Sequence, residues 1–196
     1  MKRNANVASE RPTIEQLEKE LRRERHSRNY RSTLTSTISV LVIVAAIAIL
    51  VSMLVLPVLQ VVGESMTPSL YEGDIVLALK GSSFVKGDVI AFYYNNKILV
   101  KRVIANAGEW VNIDLDGNVY INDVPIDEPY VSEKALGDTN ITLPYQVPDG
   151  KIFVMGDHRA TSSDSRNTAV GCVADEQIVG RVLLRVWPFQ SFGEVR

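Results

Sequence analysis

The sequence predicts a mainly β protein, an antiparallel sheet or barrel-like domain tethered by one N-terminal transmembrane helix. Three observations carry this. Residues 38–59 (ISVLVIVAAIAILVSMLVLPVL) form one uncharged apolar run. Seven short segments rich in β-branched and aromatic residues follow it, separated by Gly, Asp, Asn and Pro. Between two of these segments stands Asp116-Gly117, a strong hairpin signal.

The N-terminal elements come first. Residues 13–25 (TIEQLEKELRRER) predict a helix, with Thr13 able to cap it after Pro12 and Gln16 three residues on. Ile14, Leu17 and Leu21 share one thin stripe, and Glu/Arg pairs cover the other faces, as expected of a solvated juxtamembrane helix. The apolar run is next. At about 1.5 Å per residue it makes roughly 33 Å of helix, enough for a bilayer core. It exceeds the usual length of a signal-peptide core, and no small-x-small site follows promptly, so it is expected to stay as an anchor. Arg22, Arg23, Arg25, Arg28 and Arg31 precede it. The positive-inside rule places residues 1–37 in the cytoplasm and 60–196 on the far side.

The strands are then expected in GDIVLAL (73–79), GDVIAFYY (87–94), KILVKRVI (97–104), WVNIDL (110–115) and NVYIND (118–123). KIFVMGD (151–157) and QIVGRVLLRVW (177–187) complete the set, and prolines 125, 129, 144 and 148 mark loops. A domain of about 135 residues is large enough to bury its own core.

Composition excludes several functions. The net charge is -2, yet residues 1–37 hold nine Lys/Arg against five Asp/Glu. So short and mixed a basic segment does not suit nucleic acid. The single cysteine, Cys172, excludes an internal disulfide and a cysteine-based metal cluster. With only His26 and His158, zinc lacks ligands and no metal or other cofactor is expected. A Ser-His-Asp triad would rest on His158 alone.

Three segments hold the reactive groups. The first is GESMTPSL (63–70), where Ser65 is either a turn residue or a nucleophile, and a serine needs a base to react. The second is ILVKRVI (98–104). Alternation along a strand puts Lys101 on one face with Leu99 and Val103, and Arg102 on the other with Val100 and Ile104. Apolar neighbours would desolvate the amine and lower its pKa, making it a base; an edge-strand lysine would instead snorkel to water. The third is GDHRATSSDSR (156–166), which is either a solvated turn or a set of charged supports beside a site.

In this order, after one anchor, SMTPSL, KGDVIAF, KRVIANAGE and GDHRATSSDSR resemble the motifs of bacterial type I signal peptidases, in the small Gram-positive-like form. YINDVPIDEPY, VPDGKIFVMGD and IVGRVLLRVWP resemble the family's connecting text, so the likeness covers roughly residues 38–190. The resemblance implies a mostly β catalytic domain and a Ser-Lys dyad. In it, Ser65 attacks the carbonyl that ends a signal peptide after a small-x-small site. Neutral Lys101 takes its proton, and water later hydrolyses the acyl-enzyme. It implies that Ser162 orients the lysine by a hydrogen bond, that Asp157, Arg159, Asp164 and Arg166 are charged supports, and that Met66 packs near the substrate pocket. It further implies preprotein signal peptides, membrane lipid and the secretion translocon as partners, in a bacterial cell membrane. No nucleic acid is expected.

Three departures stand out. Gly63 occupies a place where some members carry an oxyanion-donating serine, leaving the Ser65 N–H as the donor, with a Gly63 backbone contribution open. ANAGE (105–109) replaces the family's G-x-P-G-D, which leaves the local turn open. His158 replaces an asparagine and is expected to be a scaffold hydrogen-bonder. Two other functions compete with general signal-peptide removal. One is a specialised relative serving a restricted client class such as pilin-like surface proteins. The other is a catalytically silent, membrane-anchored binding module.

Overall fold

The computed structural model describes residues 14–195, so the expected Thr13 cap lies outside the described residues. A single helix, α1, spans Ile14–Val55. It joins the amphiphilic segment to the apolar run without a break. Residues Thr33–Ser52 make its one stretch long and apolar enough to cross a membrane, with mean hydropathy 2.7 and no burial. Ile14, Leu17 and Leu21 are exposed along their stripe. The apolar run is not helical to its end at 59, because Pro57 lacks an amide hydrogen and disfavours helix in the residue before it. The chain turns there into strand, and Val55 and Pro57 carbonyls accept from Lys80 and Ala78.

From Val51 onward, the last turn of α1 included, the chain forms a separate β-rich unit. Its strands are β1 (Val58–Gln60), β2 (Ile75–Leu79), β3 (Val89–Tyr94), β4 (Lys97–Ala105), β5 (Trp110–Ile113) and β6 (Val119–Ile121). Then come β7 (Val124–Pro125), β8 (Tyr145–Gln146), β9 (Lys151–Met155), β10 (Val173–Ala174), β11 (Ile178–Trp187) and β12 (Gly193–Glu194). The larger sheet runs β1-β2-β11-β3-β4-β9-β10, with β12 also on β11; the smaller runs β7-β6-β5-β8. Pairing is antiparallel throughout, so the mainly β, antiparallel expectation holds.

Local chemistry explains the irregular places. The β5–β6 hairpin is not a two-residue turn, since Ile113 pairs with Val119 across a five-residue loop. The Asp114 carboxylate organises that loop by accepting from the amides of Asp116 and Asn118, the Asn118 side chain and the Tyr120 hydroxyl. Those bonds, led by the Asn118 side chain, hold its carboxyl below the usual range. The ANAGE turn closes through Glu109, whose carboxylate accepts from the Asn106 amide at 2.7 Å and pairs with Lys86.

The larger sheet buries one face under Met66, Leu70, Val76, Ala78, Val89 and Val182. Ile90, Phe92, Val103 and Val154 pack together in a second cluster. A third joins the two sheets through Ile104, Val111, Ile121 and Phe153. β4 lies near the middle of the sheet order, which is what brings its lysine inside.

Candidate active site

Ser65 sits in a turn that follows β1 and Val62. The turn is fastened by Thr67, whose amide and hydroxyl both donate to the Glu64 carbonyl, and by Leu70, whose amide donates to Met66. Met66 is 1% exposed and packs into the core with Leu70 and Val76. It is not among the residues that line the cleft; its side chain packs in the core beneath the turn. Gly63 does line the cleft, in the left-handed region at φ 85°, a conformation that favours glycine.

Lys101 comes from the middle of β4, opposite Ile90 of β3. Its Nζ lies 2.6 Å from Ser65 Oγ. The residue is 3% exposed, so it does not snorkel to water. Burial lowers its pKa from 10.5 to about 8, with Asp164 and Asp157 pulling upward and Arg166 downward. A desolvated amine in contact with a hydroxyl is the arrangement that general-base activation of a serine requires.

The polar loop 156–166 supports this pair, and its charges do not simply pair with each other. Asp164 and Arg166 do, through two bonds of 2.9 Å, in full burial. Asp164 also accepts from the Gly156 amide at 3.0 Å. Burial raises the Asp164 carboxyl, but Arg166 overrides this and leaves it lowered. Asp157 instead reaches across to Arg102 of β4, which grips both its oxygens at 2.8 and 2.6 Å. Arg159 pairs with Glu128, with one bond at 3.1 Å and a second, shorter one. The solvated-turn alternative is therefore excluded for this loop.

Neighbouring residues complete the support. Tyr130 stacks on the Arg102 guanidinium at 3.9 Å, and Arg102 also donates to the Gly87 carbonyl. Arg102, Glu128, Tyr130 and Gly156 were not singled out as site residues from sequence, although KRVI, DEPY and GD lay in the quoted motifs. Gly156 matters by close approach: a Cβ there would collide with Ser162 Oγ and the Ser65 carbonyl. Ser162 Oγ is buried and forms no hydrogen bond with Lys101 among the described residues, the contact that the resemblance implied; it lies against Asp164, whose carboxyl it helps to hold low. The His158 amide donates to the Ser65 carbonyl at 3.1 Å, and its ring Nδ1 lies 2.6 Å from Thr161 Oγ1. Both contacts fit a scaffold role.

An open cleft of about 520 Å³ lies over the pair, lined by Gly63, Ser65, Leu99, Lys101, Thr161 and Val170 among others. Among the described residues no group of His, Cys, Asp and Glu could hold a metal ion.

Residues 34–187 match the family described as signal peptidase, peptidase S26. Signal peptidase IB of Staphylococcus aureus strain Mu50 is 38% identical over 153 residues, which cover 67% of this chain and 78% of that protein. Thylakoidal processing peptidase 1, chloroplastic, of Arabidopsis thaliana is 36% identical over 141 residues, 63% of this chain and 40% of that longer one. A crystal structure of a signal peptidase I from Enterococcus faecalis aligns at TM-score 0.42 and 30% identity, covering 51% of this chain and 97% of the other. The match over most of the chain and the similarity to the staphylococcal enzyme place this protein in the signal peptidase family, peptidase S26, as a serine endopeptidase.

Proposed function

We propose that the protein is a membrane-anchored endopeptidase that removes signal peptides from exported preproteins through a Ser65–Lys101 dyad. The 2.6 Å approach of a buried, pKa-lowered Lys101 to Ser65 Oγ carries this reading. Neutral Lys101 takes the Ser65 proton as Oγ attacks the scissile carbonyl carbon. The developing oxyanion accepts from the Ser65 amide, which makes no hydrogen bond among the described residues. Lys101 then gives the proton to the leaving amine, and the mature protein departs. Water attacks the remaining ester, again with Lys101 as base, and the signal peptide leaves with a free carboxylate. Asp157–Arg102 ties the loop to β4, Arg159–Glu128 ties it to the segment after β7, and Asp164–Arg166 braces the loop itself. Gly63 leaves the cleft open beside the nucleophile.

In this reading Thr33–Ser52 crosses the bacterial cell membrane once, with the chain before it cytoplasmic and residues 60–196 outside. Signal peptides occupy the same bilayer, so the tether raises the enzyme's effective concentration at the cut site. Membrane lipid and the secretion translocon are its surroundings.

The test is cleavage of a purified preprotein by the detergent-solubilised protein, beside Ser65→Ala and Lys101→Ala, with the cut mapped by N-terminal sequencing. The expected result is one cut after a small-x-small site by the wild type and none by either variant. A variant that retains activity would remove its residue from the chemistry. A folded wild type that cuts no generic preprotein would redirect the reading to a dedicated client.

A further inference from the structure

We propose that Lys97 is a specificity-determining residue that favours substrates carrying a carboxylate about four residues from the scissile bond. The inference rests on the peptidase reading above and adds a substrate feature to it.

Lys97, Leu99 and Lys101 all line the cleft, and alternation along β4 puts them on one face. Lys101 marks the reacting carbonyl. Four strand residues at about 3.3 Å each set Lys97 roughly 13 Å further along. β3 pairs with β4 along Lys97–Arg102, whereas β9 pairs only from Arg102 onward. The other edge of residues 97–101 therefore has no partner strand among the described residues. An extended peptide laid along that edge advances by the same step per residue, so its fourth residue from the cut meets Lys97.

Lys97 is exposed and forms no ion pair among the described residues. It is paired across the hairpin with Tyr94, whose hydroxyl donates to the Ala169 carbonyl and closes that end of the cleft. Leu99 between the two lysines offers no charge, so the cation acts locally. Glu64, the other free charge on the wall, adjoins the nucleophile and acts at a different substrate position. An exposed pair of this kind is worth on the order of 3–5-fold in rate, and salt screens it.

The experiment compares kcat/KM for full-length enzyme on a set of otherwise identical preproteins. Each carries a single Asp, or its neutral isostere Asn, at one position from six before to six after the cut. The expected wild-type result is an Asp-over-Asn preference of about 3–5-fold, peaking near the fourth residue on one side and shrinking in 0.5 M salt. Lys97→Gln should bring the ratio to one and Lys97→Glu should invert it, each ratio being taken within a single enzyme. A flat Asp/Asn ratio in the wild type, or a peak that survives Lys97→Gln, overturns the inference while leaving the peptidase reading intact. Failure of the wild type to cut the Asn substrates overturns both.

Discussion

In the proposed dyad, Lys101 sets the pH range of activity. The amine is a base only when neutral, and its pKa is lowered to about 8 chiefly by burial. Below that value each pH unit removes about nine-tenths of the neutral form, so kcat/KM should fall about tenfold per unit on the acid side. Above it the rate should level off. An unburied lysine would put the same bend more than two units higher, near 10.5. The check is a kcat/KM profile from pH 5 to 10 on one preprotein. A flat line from pH 9 to 5 would mean that Lys101 is not the base. Asp164 and Asp157 pull its pKa upward and Arg166 pulls it down, so burial is the main lever.

At the scale of elements, β4 and the loop 156–166 are two halves of the candidate site, joined by the ion pair Arg102–Asp157. Arg102–Asp157 has both side chains 1% exposed or less. Removing one partner strands the other in a dry interior, which typically costs about 3–5 kcal/mol. Asp157→Ala should lose about that much stability in urea unfolding followed by tryptophan fluorescence. Lys86–Glu109 is equally short at 2.6 Å but partly open to solvent. Lys86→Met should therefore change stability by less than about 1 kcal/mol. Equal losses for the two variants would show that burial does not set the value of these pairs. The sequence revealed much of this layer. Alternation in ILVKRVI placed Lys101 beside Leu99, and the Gly- and Asp-bounded segments became strands within a few residues. It did not reveal which charge meets which, because Arg102–Asp157 and Arg159–Glu128 join residues 55 and 31 apart. Nor did it reveal the direction of Met66, since a turn has no period from which to read a buried face. Gly156 was equally silent, because a steric requirement set by Ser162 and Ser65 exists only once the chain has folded.

For the whole molecule the open physical question is sidedness. Among the described residues one segment, Thr33–Ser52, is able to cross a bilayer, and five arginines lie within about twelve residues before it in the sequence. The orienting effect counts Lys and Arg near the span and gives little weight to acidic residues, so Glu24 among them does not cancel it. The β-rich unit carries more acidic than basic groups and offers no competing basic cluster next to the span's other end. We therefore predict that protease added to intact protoplasts removes a C-terminal epitope tag and spares an N-terminal one. Replacing Arg22, Arg23, Arg25, Arg28 and Arg31 with Gln should make both tags partly accessible, because the bias that selects one orientation is then weak. Protection of the C-terminal tag in the unaltered protein would put Ser65 and Lys101 on the side where preproteins are made rather than delivered. That outcome would contradict the membrane arrangement proposed here, while the chemistry of the dyad would stand.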